Sequence, residues 1–142
     1  MNRAWATFVL LLGAHTATAD RSDATPEPLV AERGSAAAGR EIFVDRSTGH
    51  CVLCHRVADL DAPFQGNLGP DLSGIGQRLS AAQIRYRIVD VSRLNPATIM
   101  PPYYRTESLH QVGEAYRGKT VLTGVEIEHL VAYLASLTGH AP

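Results

Sequence analysis

Both cysteines of this 142-residue chain fall in one pentapeptide, Cys51-Val52-Leu53-Cys54-His55, and no other feature narrows the possible folds as far. Two thiols three positions apart, followed at once by an imidazole, form C-x-x-C-H, the attachment signature of a c-type haem. On a helix, positions i, i+3 and i+4 share a face. Cys51 and Cys54 are therefore expected to reach vinyl groups of one porphyrin while His55 points at its iron. Ser47, Thr48 and Gly49 suit the start of that helix. Three other uses of the thiols compete. A structural disulfide would close only a small loop and leave His55 without a role. A thioredoxin-like redox pair calls for a βαβ setting, which the flanking sequence lacks. A structural zinc site takes four ligands, and there is no second cysteine pair. One covalently bound haem c is the expectation.

A haem iron takes a second protein ligand on its other face. Beyond Met1 the chain has a single methionine, Met100, set in Thr98-Ile99-Met100-Pro101-Pro102. Two prolines stiffen that segment, and a thioether projected from a stiff loop suits the distal side of a His/Met centre. The competing reading is a methionine that fills a gap in the core. His110 is the rival ligand. His50 adjoins Cys51 and is not expected to reach the face opposite His55; His129 reads as solvated beside Glu126 and Glu128, and His140 lies in the tail. In Asn67-Leu68-Gly69-Pro70-Asp71-Leu72, the Pro70 ring or the carbonyl preceding it is expected on the proximal side, accepting from the second nitrogen of His55. Gly66, Gly69, Gly74 and Gly76 permit close backbone approach to the ring. Arg78, Arg85, Arg87, Arg93 and Arg105 are candidates for the propionates, with a solvated surface as the competing reading.

The rest of the chain supplies an address and a frame. Met1-Asn2-Arg3 is a positive start, Ala4 to Ala14 is apolar apart from Thr7, and Ala17-Thr18-Ala19 offers small residues at a cleavage position. That order describes a secretory signal over residues 1–19; the apolar run is about half the roughly 20 residues a spanning helix needs. The expected location is a bacterial periplasm. Residues 20–35, with Pro26 and Pro28, read as an extended N-terminal arm that wraps a partner. The cytochrome-like domain is expected over 36–142. Within it, Gly39 and Phe43 share a helical face over 36–45, a capping box at Ser80-Ala81-Ala82-Gln83 opens a helix to about Val91, and a second box at Thr123-Gly124-Val125-Glu126 opens the last one. Ile127, Leu130, Val131, Leu134 and Leu137 follow at helical spacing, with Gly139 expected as a left-handed terminator. No stretch alternates with period two, so the fold class is all-α. Lys plus Arg is 13 against 14 Asp plus Glu, which removes the basic field of a nucleic-acid binder.

Gly39 with Phe43, C-x-x-C-H, Gly69-Pro70, Met100 and a last helix carrying Tyr133 resemble a class I cytochrome c. Residues 66–76, Ile99-Met100-Pro101-Pro102-Tyr103-Tyr104, and 118–123 leading into Val131-Ala132-Tyr133-Leu134 are similar to SoxX, the monohaem subunit family of the sulfur-oxidation cytochromes SoxAX. His50 stands where many relatives have asparagine and Leu53 where alanine is usual. The resemblance implies a class I fold whose first and last helices cross at a glycine and an aromatic. It further implies a heterodimer with a SoxA-like cytochrome that joins thiosulfate oxidatively to a cysteine of the carrier SoxYZ. The catalytic centre would belong to SoxA. The haem here would accept electrons and hand them to another, downstream cytochrome, and no catalytic residue is assigned to this chain. An independent periplasmic electron carrier without a SoxA partner is the alternative.

Overall fold

Ser35 accepts a hydrogen bond from the Ala38 amide and so starts α1, Ala36–Val44, the first helix of a computed structural model that describes residues 23–139. The expected secretory signal and His140 lie outside those residues. Three more α-helices follow: α2 over Ile75–Arg78, α3 over Ala81–Asp90 and α4 over Gly124–Ser136. Short 3-10 turns occupy Cys51–Leu53, Val91–Arg93 and Glu114–Tyr116. No strand is present among the described residues, as the lack of period-two alternation predicts. Both capping boxes form, Ser80 with Gln83 and Thr123 with Glu126, each satisfying two otherwise orphaned amides at a helix start.

The frame is the crossing of α1 over α4. A Cβ on Gly39 would run into the His129 carbonyl and come within 2.8 Å of the Tyr133 Cβ, so only glycine lets the two backbones meet there. One turn on, the Phe43 and Tyr133 rings pack tilted at 59° with centroids 5.6 Å apart, a favoured aromatic geometry. Around them Val52, Ile84, Ile88, Leu122, Ile127 and Leu130 are buried. The apolar stripe read from α4 is thus the centre of the core.

Two elements differ from expectation. Gly139 does not adopt a left-handed backbone; among the described glycines only Gly118 has positive φ. The end of α4 is instead closed from outside, because the Gly76 amide donates to Leu137 O and the Gln77 side chain to Thr138 O. Donors from α2 do the work of a terminating glycine. Second, the segment ahead of α1 is fastened to its own chain. Thr25 donates to Ala82 O at 3.0 Å, the Asp23 carboxylate meets Gln83 and Arg87, and Leu29 N donates to Glu128 at 3.0 Å. Ser35 N donates to His129 Nδ1 at 2.9 Å, so His129 is half-buried and engaged rather than solvated.

Candidate haem site

The loop that carries the two thiols is built by Asp45. Its carboxylate accepts from Ser47 N at 2.7 Å, Ser47 Oγ at 2.6 Å and Thr48 Oγ1 at 2.7 Å. Those donors hold the Asp45 carboxyl down at about 2. The chain then reverses through His50 in the left-handed region, φ 59°. Cys51–Leu53 forms one 3-10 turn, closed by Cys54 N to Cys51 O at 3.1 Å, and His55 N donates to the same carbonyl at 2.9 Å. A longer helix, expected from the i, i+3, i+4 spacing, does not form. The carbonyls that would propagate it are taken by the next loop: Gly66 N donates to Val52 O at 2.9 Å and Gly69 N to Cys54 O at 2.8 Å.

The same loop fixes His55. Its Nδ1 lies 2.8 Å from Pro70 O. A carbonyl only accepts, so Nδ1 carries the proton and Nε2 keeps its lone pair. Gly69 lies flat against the imidazole; a Cβ there would collide with Cε1 and stand 2.7 Å from Nδ1. Arg56 to Asp71 at 2.7 Å and Leu72 N to Arg56 O at 2.8 Å hold the loop to the residues that follow His55. The acceptor is the carbonyl of Pro70 itself, in place of the preceding carbonyl expected from the sequence.

Within the protein, Gly66, Gly74 and Gly76 have these surroundings. Gly66 packs on Leu53 O and the Cys54 Cα, and Gly76 packs on Ala135 O of α4. Gly74 precedes α2 as its N-cap. Gly66 and Gly76 allow close backbone contacts within the protein.

Met100 is half-buried against the core cluster, its amide bonded to Thr98 Oγ1 at 3.1 Å. His110 is exposed, on the loop that leads to the Glu114–Tyr116 turn. The five candidate arginines all have protein partners. Arg85 is 5% exposed and forms a two-pronged pair with Glu128 at 2.7 and 2.8 Å. Arg87 holds Asp23, Arg78 holds Asp71 O, and Arg93 and Arg105 flank buried Asp90. Arg105 alone keeps a buried N–H, on Nε, with no partner.

The residues present fit a covalently attached haem. Cys51 and Cys54 are unpaired and half-buried. Burial pushes the Cys51 thiol up to about 12, the opposite of the lowered value that a redox or nucleophilic cysteine requires. His55 offers a free Nε2. Leu68 and Ile99, on the two loops, are 68% and 71% exposed, apolar surface of the kind a porphyrin face covers. Tyr103 carries no sequence signal beyond its place in the Met100 segment, yet it is 5% exposed and its hydroxyl donates to Gly49 O at 2.8 Å. Burial, with the Cys51 and Cys54 thiols beside it, pushes that hydroxyl up, so it stays a donor. An isolated tyrosine in a loop gives no periodicity by which to foresee this.

Among the described residues no helix is long and apolar enough to cross a membrane. No curated protein matches the chain by sequence. Among solved structures, a chain of the SoxXA crystal structure from P. pantotrophus is similar with 29% identity and a TM-score of 0.75, covering 82% of this chain and 91% of that one. The c-type cytochrome SorU from Sinorhizobium meliloti is also 29% identical, with a TM-score of 0.47, over 73% of this chain and 91% of that one. The sequence model of cytochrome c matches residues 36–138. With a C-x-x-C-H motif on an all-α frame, and with haem c as its one covalent cofactor, the chain belongs to the cytochrome c family.

Proposed function

We propose that this chain is the monohaem subunit of a SoxAX-type complex in a bacterial periplasm. In this reading it is exported by a cleaved signal and paired with a SoxA-like cytochrome. It accepts electrons released when thiosulfate is joined to the carrier cysteine of SoxYZ and passes them to another cytochrome. That joining releases two electrons and a proton, and the bond-making centre lies in the partner. Haem held by these residues supplies a one-electron couple. Cys51 and Cys54 would anchor it, His55 Nε2 and the Met100 sulfur would hold its iron, and Gly69 with Pro70 set the imidazole. The observation that carries the reading is the His55 Nδ1 to Pro70 O bond at 2.8 Å, which fixes the imidazole with its ligating nitrogen free. The similarity to the SoxXA chain supports the choice of partner.

This chain's residues favour electron transfer over bond-making. Both thiols are used in attachment, so no thiolate is left for sulfur chemistry. Ligands on both faces leave no coordination position for substrate, and neutral histidine with methionine raises the reduction potential. The Met100→Ala holoprotein, made in a host with a cytochrome maturation system, is expected to lose the methionine–iron charge-transfer band of the oxidised state. Its potential should fall and it should bind cyanide readily; an unchanged visible spectrum removes Met100 from the iron. Co-expression with the SoxA-like chain is expected to yield a one-to-one complex. Elution of this chain alone supports the independent carrier instead.

A further inference from the structure

Apart from the packing of Met100 on the core, the hydrogen bonds of the segment that carries it stay local until Tyr103. Upstream, Asn95 N donates to Val91 O and Thr98 N to Asn95 O, both at 3.0 Å. Ala97 N donates to Asn95 Oδ1, and Met100 N to Thr98 Oγ1. Pro101 and Pro102 have no N–H to offer. Tyr103 is where this loop first hydrogen-bonds to other elements, and it does so in three directions. Its amide donates to Ile88 O of α3 at 3.2 Å, and its carbonyl accepts from Val121 N at 3.0 Å and Leu122 N at 3.1 Å, just before α4. Its hydroxyl crosses to Gly49 O at 2.8 Å, two residues ahead of Cys51. One buried side chain thereby spans from the Met100 loop to the loop that bears the thiols.

We propose that Tyr103 is a positioning residue that holds the Met100 sulfur in reach of the iron by bolting its loop to the haem-attachment loop. The inference rests on the reading of Met100 as axial ligand. It gains from the attachment chemistry itself. Gly49 O has a second donor in the free chain, Cys51 Sγ at 3.4 Å, but a thioether sulfur carries no hydrogen. In the holoprotein the Tyr103 hydroxyl is then the donor left to that carbonyl, and a buried carbonyl without a partner is unfavourable.

The test is Tyr103→Phe in the full holoprotein, which keeps the ring and removes the hydroxyl. The methionine–iron band of the oxidised protein is followed against pH, beside wild type, Met100→Ala and the control Tyr104→Phe. Tyr103→Phe is expected to lose the band at a pH lower by about one unit, the roughly tenfold change that one buried hydrogen bond provides, while Tyr104→Phe titrates as wild type. A Tyr103→Phe protein that titrates as wild type overturns the positioning role and leaves the ligand assignment standing. A Met100→Ala protein that retains the band overturns both. Should the variant not accumulate, amide exchange of wild-type holoprotein decides. Tyr103 and Leu122 are expected to exchange at least about tenfold more slowly than Met100, as amides bonded across elements do relative to those bonded within a loop; equal rates overturn the proposal.

Discussion

A single glycine shows how little freedom the proximal ligand has. Gly69 donates its amide to Cys54 O and presents its bare Cα to the His55 ring, while the next residue's carbonyl takes the Nδ1 proton. A methyl group at position 69 meets the imidazole itself, so either the ring turns or the loop withdraws, and both break the bond to Pro70 O. Gly69→Ala is expected to disturb both spectrum and stability: the absorption bands of the reduced holoprotein should broaden and shift, and the cost in stability should be about 1–3 kcal/mol, typical of overpacking. Denaturant unfolding and visible spectra on the same sample check this, and a variant with wild-type bands removes the close contact from the account. At this scale much was legible. C-x-x-C-H named its cofactor, and Gly69-Pro70 named its support, because each is a local pattern. The left-handed His50 and the Tyr103 bridge were not, since neither a backbone reversal nor a bond spanning 54 residues leaves a mark in neighbouring letters.

Helices were foreseen from their ends and stripes, and their outer faces were misread. The two capping boxes and the apolar positions of α4 follow from the periodicity of one strand of sequence. Glu128, off the apolar stripe beside Glu126 and His129, reads as part of a wet face, yet it is 6% exposed because the arm passes over it. Burial pushes its carboxyl up, but Arg85 and the Leu29 amide outweigh that and hold it below the usual range. The partner that buries it lies 99 residues away for Leu29 and 43 for Arg85, which no local pattern encodes. Glu128→Gln leaves the Arg85 guanidinium buried without its counter-charge, and breaking such a pair is expected to destabilise the holoprotein by about 3–5 kcal/mol. The arm should loosen with it, seen as faster proteolysis ahead of Ser35 together with a lower denaturation midpoint. A loss under about 0.5 kcal/mol, the scale of an exposed pair, contradicts the burial described.

Over the whole molecule, several carboxylates share one sign. Ser47 and Thr48 hold Asp45 down at about 2, Arg87 and Gln83 lower Asp23, and Ser73 with Arg56 lowers Asp71. Each is depressed in the folded state, so the unfolded chain binds more protons as pH falls below the ordinary value of 3.8 for Asp. Stability from these groups is complete above that value and is lost on descending towards about 2. Calorimetry of the holoprotein is expected to show a midpoint that is level from neutral pH to about 5 and then falls steeply, with a shallower fall for Asp45→Asn. A midpoint that rises on acidification reverses the sign and removes these contacts from the native state.

The docked arm also dictates an order of events. Thr25 reaches a partner 60 residues further along and Leu29 one 99 residues further, so the stretch that leaves the ribosome early must wait for the end of translation before it can settle. Closing so long a loop is entropically the last step to become favourable. Until then Glu128 and Arg85 stand open to solvent, and the half-assembled chain is one that proteases can trim from the front.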